Sequence, residues 1–339
     1  MRWPLPALGT ALALALAPIT GVSGERDAAA HQLLMDMSEA SSKLNYTGEF
    51  LLRDGDTLDT FKVVHSVSDQ GVHEKVVSLG GTHREFHRHD DRVTCLLPEH
   101  GLRLEGLSRA RSPLPGPLPG TAAELEQLER SYDLRVLDVG RVAGRECRVV
   151  GITPRDELRY GKELCVDRQT GLLLSSRKFE GSGDQRRELM SAQFVHVSFH
   201  DSIDPGKLEP EVNTGDLREY RHPVPDESTL DDESAGDYWK VDPAPAGFEL
   251  VSRRVLEPDD KSQAHEYLVY SDGLVSVSLF VEKMKDADKA MRGRSRHHAV
   301  NVYSDVHGEH QVTAVGEVPV ITLSRFVEAA RSVRSGSDD

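Results

Sequence analysis

The most restrictive feature of this sequence is a long succession of strand-like segments between residues 48 and 200. Turn-forming pairs such as Asp54-Gly55, Gly80-Gly81 and Asp90-Asp91 separate the segments. Strands joined by such short turns pair antiparallel, because a parallel connection needs a crossover of about a dozen residues or more. The region therefore predicts one large antiparallel meander.

Two helices are predicted to cover this sheet. Leu33, Met37 and Leu44 recur at helical spacing, which places an apolar stripe on a first helix near the start of the chain. A second helix begins at a capping box, in which the Thr121 hydroxyl accepts from the Glu124 amide and the glutamate reaches back. Both helices are expected to pack against the sheet.

A sheet of this size with helices against it curls into a half-barrel. Its concave side is either filled by side chains or left as an apolar cavity, and the sequence leaves both possibilities open. The proline-rich segment 112–120 cannot join a ladder, and a mobile lid is one hypothesis for it. Apolar positions on successive strands are the candidates for lining a lipid cavity: Phe61, Val63, Phe86, Leu96 and Leu104.

The strand pattern ends at residue 203, and residues 204–238 have the composition of an extended linker. Pro205-Gly206 and later prolines break regular structure, and acidic residues outnumber basic ones. The predicted domains are therefore 25–203 and 239–334, with residues 335–339 as a frayed tail. The fold class is α+β, an N-terminal antiparallel half-barrel with covering helices and a smaller C-terminal α+β domain.

Within the second domain, strands are predicted over residues 248–256, 266–271, 274–281 and 312–315. Asp272-Gly273 predicts a tight hairpin turn, because glycine supplies the positive φ that such a turn needs. Leu323, Phe326 and other apolar residues at helical spacing predict a final helix, with Thr322 as its cap.

Residues 1–24 have the pattern of a secretory signal. Arg2 supplies the positive start, residues 7–19 form a short apolar run, and Ser23-Gly24 offers small residues for cleavage. The alternative is a membrane anchor, but the run is shorter than the roughly 20 residues that span a bilayer. The mature chain is expected to be exported and soluble.

The chain has three cysteines, which can form disulfides in an oxidising compartment. Cys147 and Cys165 lie on two strand-like segments around the turn at Asp156, and a register centred there places them opposite each other. They form either a disulfide or two buried thiols, and Cys95 is expected in the core.

Signatures of the common enzyme classes are absent from the sequence, including the nucleophile elbow, the zincin motif, the P-loop and the dinucleotide-binding glycines. No cofactor is therefore predicted. One strand carries four alternating polar residues, His83, Glu85, His87 and His89. The favoured interpretation is a solvated face of the strand, and the alternative is a metal site. No metal is assigned.

The formal net charge is -15, so a polyanion such as nucleic acid would meet general repulsion. Residues 283–296 of the second domain are, in contrast to the whole chain, rich in lysine and arginine. This stretch is either a solvated loop or a patch that holds an acidic partner. The candidate partner-binding residues combine this stretch with the predicted hairpin: Tyr270, Asp272, Lys283, Lys285, Arg292, Arg294 and Arg296.

Several short motifs occur in a fixed order along the chain. They are residues 141–147, 154–156, 158–161 and 167–172 in the first domain and residues 270–274 and 312–319 in the second. Their order resembles the MucB/RseB family, whose members are periplasmic negative regulators of the envelope-stress sigma factor. The first domain is similar to the lipoprotein carriers LolA and LolB. Cys165 departs from the family pattern, where an aromatic residue often stands.

This resemblance implies a periplasmic regulator rather than an enzyme. Such a protein binds the periplasmic segment of a membrane-spanning anti-sigma factor of the MucA/RseA type and shields it from the site-one protease. Lipopolysaccharide or lipoprotein acyl chains bound by the half-barrel would loosen that hold. The resemblance also implies a homodimer or larger assembly. The alternative function is a periplasmic lipoprotein or lipid carrier of the LolA type, which would not need the second domain.

Overall fold

The computed structural model describes residues 22–90, 92–107, 121–221, 238–255, 264–284, 290–297 and 300–333. The predicted proline-rich lid, the C-terminal tail and nearly all of the predicted signal segment lie outside these ranges. Within them, no helix has the length and apolar character needed to cross a membrane.

The first domain is built on a single sheet of twelve strands. Its order is β12-β6-β5-β4-β3-β2-β1-β11-β10-β9-β8-β7, so two meanders are joined where β11 returns beside β1. All neighbours are antiparallel except β12, which runs parallel to β6. The strands are β1 Asn45–Asp54, β2 Thr57–Ser68, β3 Gly71–Ser78, β4 Glu85–His89, β5 Arg92–Leu97, β6 Leu102–Leu107, β7 Tyr132–Val142, β8 Arg145–Pro154, β9 Gly161–Asp167, β10 Leu173–Glu180, β11 Arg187–His200 and β12 Arg218–Arg221.

The central strands are longer than the usual strand of about 5–6 residues, since β2 has 12 residues and β11 has 14. Their sheet is curved. Strands β11 and β7 are four positions apart, about 19 Å in a flat sheet with a strand spacing of about 4.8 Å. Cα atoms of these two strands nevertheless approach within 8 Å of each other. Apolar side chains inside the curve form one buried cluster that includes Phe61, Phe50, Phe194 and Val142. The predicted antiparallel half-barrel is confirmed.

Two helices cover the β7–β9 end of the sheet. Helix α1, Val22–Lys43, contributes Leu34 and Met37, and helix α2, Ala122–Glu129, contributes Leu125 and Leu128 to one cluster with side chains of β7, β8 and β9. The capping box of α2 is confirmed, because the Thr121 side chain accepts from the Glu124 amide and the glutamate bonds back to the Thr121 N–H.

The structure joins Cys147 and Cys165 by a disulfide, and Cys95 is a buried free thiol. The predicted register is off by two residues, since Cys147 lies opposite Asp167 and Cys165 opposite Val149. The bonded residues are therefore diagonal neighbours with Cα atoms 5.4 Å apart. The space beside the two sulfur atoms is occupied by Gly140, where an added Cβ would lie 3.1 Å from the Cys147 Sγ.

The second domain has a six-stranded sheet in the order β14-β15-β16-β19-β18-β17, a separate two-stranded pair β13-β20, and one helix, α3 Val320–Glu328. Apolar side chains of the sheet and of α3, including Leu279, Ala314 and Phe326, form its core. The strands are β13 Tyr238–Val241, β14 Glu249–Val255, β15 Ala264–Ser271, β16 Ser276–Lys283, β17 Gly293–His297, β18 Val300–His307, β19 His310–Gly316 and β20 Ala330–Val333. The predicted α+β class is confirmed.

The predicted β15–β16 hairpin is confirmed, and Gly273 has the positive φ that was expected, 91°. The connection is longer than the predicted two-residue turn, because Ser271 pairs with Ser276 and the Asp272 carboxylate accepts the backbone N–H groups of Leu274 and Val275. The predicted cap of the final helix was wrong. Thr322 does not cap α3. The helix begins after Pro319, and the Thr322 hydroxyl instead donates to the carbonyl of Leu158 in the first domain.

The predicted linker also differs from the structure over its first half. Residues 204–221 pack on the first domain through two short 3-10 turns and strand β12. Lys75 holds this segment by donating to the Glu209 carbonyl at 2.8 Å, and its ammonium lies 3.4 Å from the Glu211 carboxylate. One acidic side chain of the segment, that of Glu211, thus has a cationic partner on the sheet, and the backbone of Glu209 and Glu211 is bonded to Lys75 and Glu85.

Candidate partner-binding surface and domain interface

The arginines predicted to bind a partner follow the edge strand β17 of the second domain. Arg294 and Arg296 are exposed and lie on the same side of the strand, opposite Tyr303 and Asn301 of β18. Arg292 precedes the strand and pairs with Asp305 at 3.2 Å. This exposed run of positive charge, residues 292–296, is named the basic edge below.

Lys283 lies at the end of β16, which is separated from β17 by β19 and β18. Its ammonium is 3.6 Å from the Glu309 carboxylate, and its side chain is more than half exposed. Lys285 lies outside the described residues. The candidates from the basic stretch therefore occupy two separate places on the sheet rather than one compact patch.

Tyr270 and Asp272, the other two candidates, are buried. The Tyr270 hydroxyl accepts from the Val241 N–H at 3.0 Å, and burial raises the pKa of that phenol. Asp272 is 1% exposed and faces the first domain. Neither side chain is open to a partner. A direct contact with Asp272 requires the two domains to separate, whereas Tyr270 lies in the core of the second domain itself.

Asp272 is bound by the first domain through two side chains. Its Oδ2 atom accepts from the Arg159 Nε at 2.6 Å and from the Tyr132 hydroxyl at 2.9 Å. Burial raises the pKa of Tyr132, and the carboxylate beside it raises that pKa further. Burial alone would lower the pKa of Arg159, but Asp272 and Asp156 outweigh that effect and raise it. The interface therefore contains a charged pair with both side chains fully buried.

The turn between β8 and β9 makes several further contacts with the second domain. Arg159 also donates to the Ala246 carbonyl at 2.6 Å, and its guanidinium lies 4.6 Å from the centre of the Phe248 ring. The Tyr160 hydroxyl accepts from the Asn301 amide at 3.0 Å. Sequence reasoning missed this role, because a charged turn between strands has the same composition whether it faces water or another domain.

A second polar centre lies on β4 of the first domain. The carboxylate of Glu85 is buried and hydrogen-bonds with the rings of His83 at 3.0 Å and His87 at 2.9 Å, and it accepts from the Glu211 N–H. Burial alone would raise the pKa of Glu85, but these bonds outweigh burial and hold that pKa below its usual value. Among the described residues, no group of three or more His, Cys, Asp or Glu side chains is placed to hold a metal ion.

Replacing Glu85 with glutamine is expected to lower the free energy of unfolding at pH 7 by about 1–2 kcal/mol, because hydrogen bonds to a charged group are lost. A lowered folded-state pKa stabilises the native state above the unfolded value of about 4.3 and loses this effect as pH falls through the folded value. Urea unfolding at pH 7 and pH 4 therefore shows a smaller difference between the two pH values in the variant. Glu49→Gln on the exposed face of β1 is the control, and equal pH dependence in wild type and Glu85→Gln would contradict the assignment.

Four of the five residues predicted to line a lipid cavity lie in two neighbouring places. Phe61 and Val63 are buried in the central cluster, where the Phe61 ring stacks on Phe50 with centroids 5.3 Å apart. Phe86 and Leu104 are partly buried around a small second cluster. Leu96 is 2% exposed, and it pairs with Glu85 while its neighbour Cys95 pairs with Phe86. Because successive side chains of a strand point to opposite faces, Leu96 lies on the face opposite to Phe86.

Buried side chains of the central cluster fill the concave side around Phe50. The hollow beside Phe50, Leu174 and Phe194 has a volume of only about 10 Å³. Ligand pockets in proteins typically measure roughly 300–1,000 Å³. A lipid chain at these residues would therefore require side chains to move apart.

The fold and its contacts define a two-domain α+β protein, in which a curved antiparallel sheet holds a smaller sheet domain through a buried ion pair and an exposed basic strand edge lies on the smaller domain. Comparison with protein families gives two matches, the MucB/RseB N-terminal domain over residues 29–212 and the MucB/RseB C-terminal domain over residues 233–331. The chain belongs to the MucB/RseB family.

Curated relatives match over almost their full length. The chain is 29% identical to the sigma factor AlgU regulatory protein MucB of Pseudomonas aeruginosa, over 95% of this chain and 97% of that protein. It is 26% identical to the sigma-E factor regulatory protein RseB of Haemophilus influenzae, over 96% of this chain and 98% of that protein. Both relatives are named as regulatory proteins.

Solved structures show the same fold. The crystal structure of MucB in complex with MucA(peri) is matched with a TM-score of 0.66 and 26% identity, over 89% of this chain and 98% of that one. A crystal structure of MucB alone is matched with a TM-score of 0.62 and 25% identity.

Proposed function

We propose that this protein is a periplasmic regulator that binds the periplasmic segment of a membrane-spanning anti-sigma factor. By covering that segment it would shield the anti-sigma factor from the site-one protease and keep the sigma factor sequestered. The observation that carries the proposal is the match over 89% of the chain to MucB solved in complex with MucA(peri). The protein acts by binding, without catalysis and without a cofactor.

The basic edge supports this proposal on the side of the second domain. Residues 292–296 present exposed arginines along the edge strand β17, on a protein with a net charge of -15. A local cationic surface attracts an acidic segment even where the whole molecule carries the opposite charge. The edge strand also has backbone groups to which an extended segment can add.

Reversing the charge at two positions of the basic edge tests this surface. Arg294→Glu together with Arg296→Glu is expected to weaken binding of the anti-sigma segment by about ten-fold or more, because attraction becomes repulsion. The measurement is calorimetric titration with the periplasmic segment from the same cell, and the effect shrinks as salt rises. A matched control reverses two exposed arginines of the first domain, Arg135→Glu with Arg168→Glu. An equal loss of affinity for the segment in both double variants would contradict a specific role of the basic edge.

Lipid sensing is the second part of the proposal. Acyl chains of lipopolysaccharide or lipoprotein would enter the concave side near Phe61, Val63, Phe86 and Leu104 and would favour the state that releases the anti-sigma factor. The apolar lining and the curvature of the sheet support this part. Self-association into a homodimer or larger assembly is proposed with it.

The direct test of function is protection from cleavage. The site-one protease is incubated with the anti-sigma periplasmic segment, with and without the purified protein. We expect slower cleavage in proportion to the bound fraction. Unchanged cleavage at saturating protein would refute the regulator and leave the alternative, a lipid or lipoprotein carrier.

A further inference from the structure

The turn at residues 155–160, between β8 and β9, concentrates the polar contacts that join the two domains. Arg159 bonds to Asp272 and to the Ala246 carbonyl, each at 2.6 Å. The Leu158 carbonyl accepts from the Thr322 hydroxyl at 2.7 Å, and the Tyr160 hydroxyl accepts from Asn301. Because these groups are neighbours in one short turn, a single displacement would break them together.

Both charges of the central pair keep a second partner inside their own domain. The Arg159 Nη1 donates to Asp156 of the same turn. The Asp272 Oδ1 accepts the backbone N–H groups of Leu274 and Val275, each at 2.9 Å. Breaking a buried pair is severe chiefly when it leaves an unpaired charge in the protein interior. Here the domains can separate without leaving Arg159 or Asp272 as an unpaired charge.

The apolar part of the same interface is small. Leu274 is partly buried against the helix-covered cluster of the first domain, and the Phe248 ring lies beneath the Arg159 guanidinium. The backbone at Gly247 approaches closely, since an added Cβ would lie 2.6 Å from the Arg159 Nη2. Interfaces between domains that are polar and of modest apolar extent permit relative motion.

We propose that residues 155–160 form a reversible latch between two arrangements of the domains. In the closed arrangement, described above, Arg159 and Tyr132 hold Asp272. In the open arrangement Arg159 keeps Asp156, Asp272 keeps its own loop, and the Asp272–Leu274 loop reaches solvent. A ligand that prefers one arrangement shifts the population toward it by its differential affinity. This proposal does not depend on which partner the protein binds.

The first test measures the distance between the domains by double electron–electron resonance. Spin labels are attached at Lys62→Cys and Glu328→Cys, both exposed, in a Cys95→Ala background. The wild type is expected to show one dominant distance with a minor longer component. Asp272→Asn keeps an oxygen for the loop amides but removes the charge, so the longer component grows several-fold. Tyr132→Phe, which removes one hydroxyl, gives a smaller increase in the same direction.

The matched control is Glu146→Gln, which breaks the exposed Arg168–Glu146 pair of 3.0 Å within the first domain. It is expected to leave the distance distribution unchanged. One identical sharp distance in wild type, Asp272→Asn and Tyr132→Phe would overturn the latch. Equal broadening of the distance distribution in Glu146→Gln would also overturn the latch.

A second test needs no variant and guards against misfolding of Asp272→Asn. Hydrogen exchange of the wild type is followed at residues 155–160 and 272–275. If the latch opens, amides on the two sides of the interface exchange at a common rate that is faster than in the buried strands β8 and β16. Protection equal to that of those strands would overturn the proposal.

Discussion

Replacing Phe326 with alanine is expected to lower the free energy of unfolding of the second domain by about 3–5 kcal/mol. Phe326 is fully buried, and its ring packs against Phe248 and Tyr270 with centroid distances of 5.3 and 5.1 Å. The truncation leaves a cavity at the contact between α3 and the sheet. Calorimetry should show a low-temperature transition for the second domain while the first domain keeps its own.

A surface position on the same helix provides the control for this experiment. Ile321→Ala changes a side chain that is 44% exposed and is expected to alter stability by less than about 0.5 kcal/mol. If Phe326→Ala shifts both transitions equally, the two domains do not have separate cores. The same variant should also lose binding of the anti-sigma segment, because the basic edge belongs to the destabilised domain.

The second large effect concerns the disulfide of the first domain. Cys147→Ala together with Cys165→Ala is expected to reduce the stability of that domain by about 3 kcal/mol, because a loop closed over 18 residues no longer restricts the unfolded chain. Urea unfolding of the double variant and of the oxidised and reduced wild type gives the comparison.

Reduction supplies the internal control. A reductant should destabilise the wild type and leave the double alanine variant unchanged. Identical unfolding of oxidised and reduced wild type would contradict a stabilising bridge at Cys147 and Cys165. Gly140→Ala is expected to act in the same direction with a smaller effect, since the new methyl group would crowd both sulfur atoms.

Features determined by neighbouring residues were predictable from the sequence. The capping box at Thr121 and Glu124 depends on residues three apart, and the strand meander depends on alternation and turn residues. Both are found in the structure. The β15–β16 loop was harder, since Asp272-Gly273 fits a tight turn locally. The carboxylate of Asp272 instead satisfies backbone amides of a longer loop and bonds to the first domain.

Features that depend on distant pairs were not predictable. Arg159 and Asp272 are 113 residues apart, and nothing in the charge pattern of either segment points to the other. Threonine commonly caps helices, but the hydroxyl of Thr322 donates to the carbonyl of Leu158, which is 164 residues away in the sequence. The first half of the acidic linker carries the pattern of an extended chain, yet Lys75 and Glu85 of the sheet bind its backbone. Tertiary contacts decided each of these cases.

In the proposed function, the curved sheet would bind lipid and the basic edge would bind an acidic segment of the anti-sigma factor. In that account the two ligands compete through the conformation of the protein rather than for the same residues. Binding of one therefore weakens binding of the other by the same factor, which is a consequence of linkage and needs no chemical step.

The most direct measurement is a calorimetric titration of the purified mature protein with the anti-sigma periplasmic segment, in the absence and presence of a short-chain lipopolysaccharide or an acylated peptide. The account predicts micromolar or tighter binding that weakens by roughly 5-fold or more when lipid is added. Lipid binding without any affinity for the segment, or affinity for the segment that lipid leaves unchanged, would contradict it.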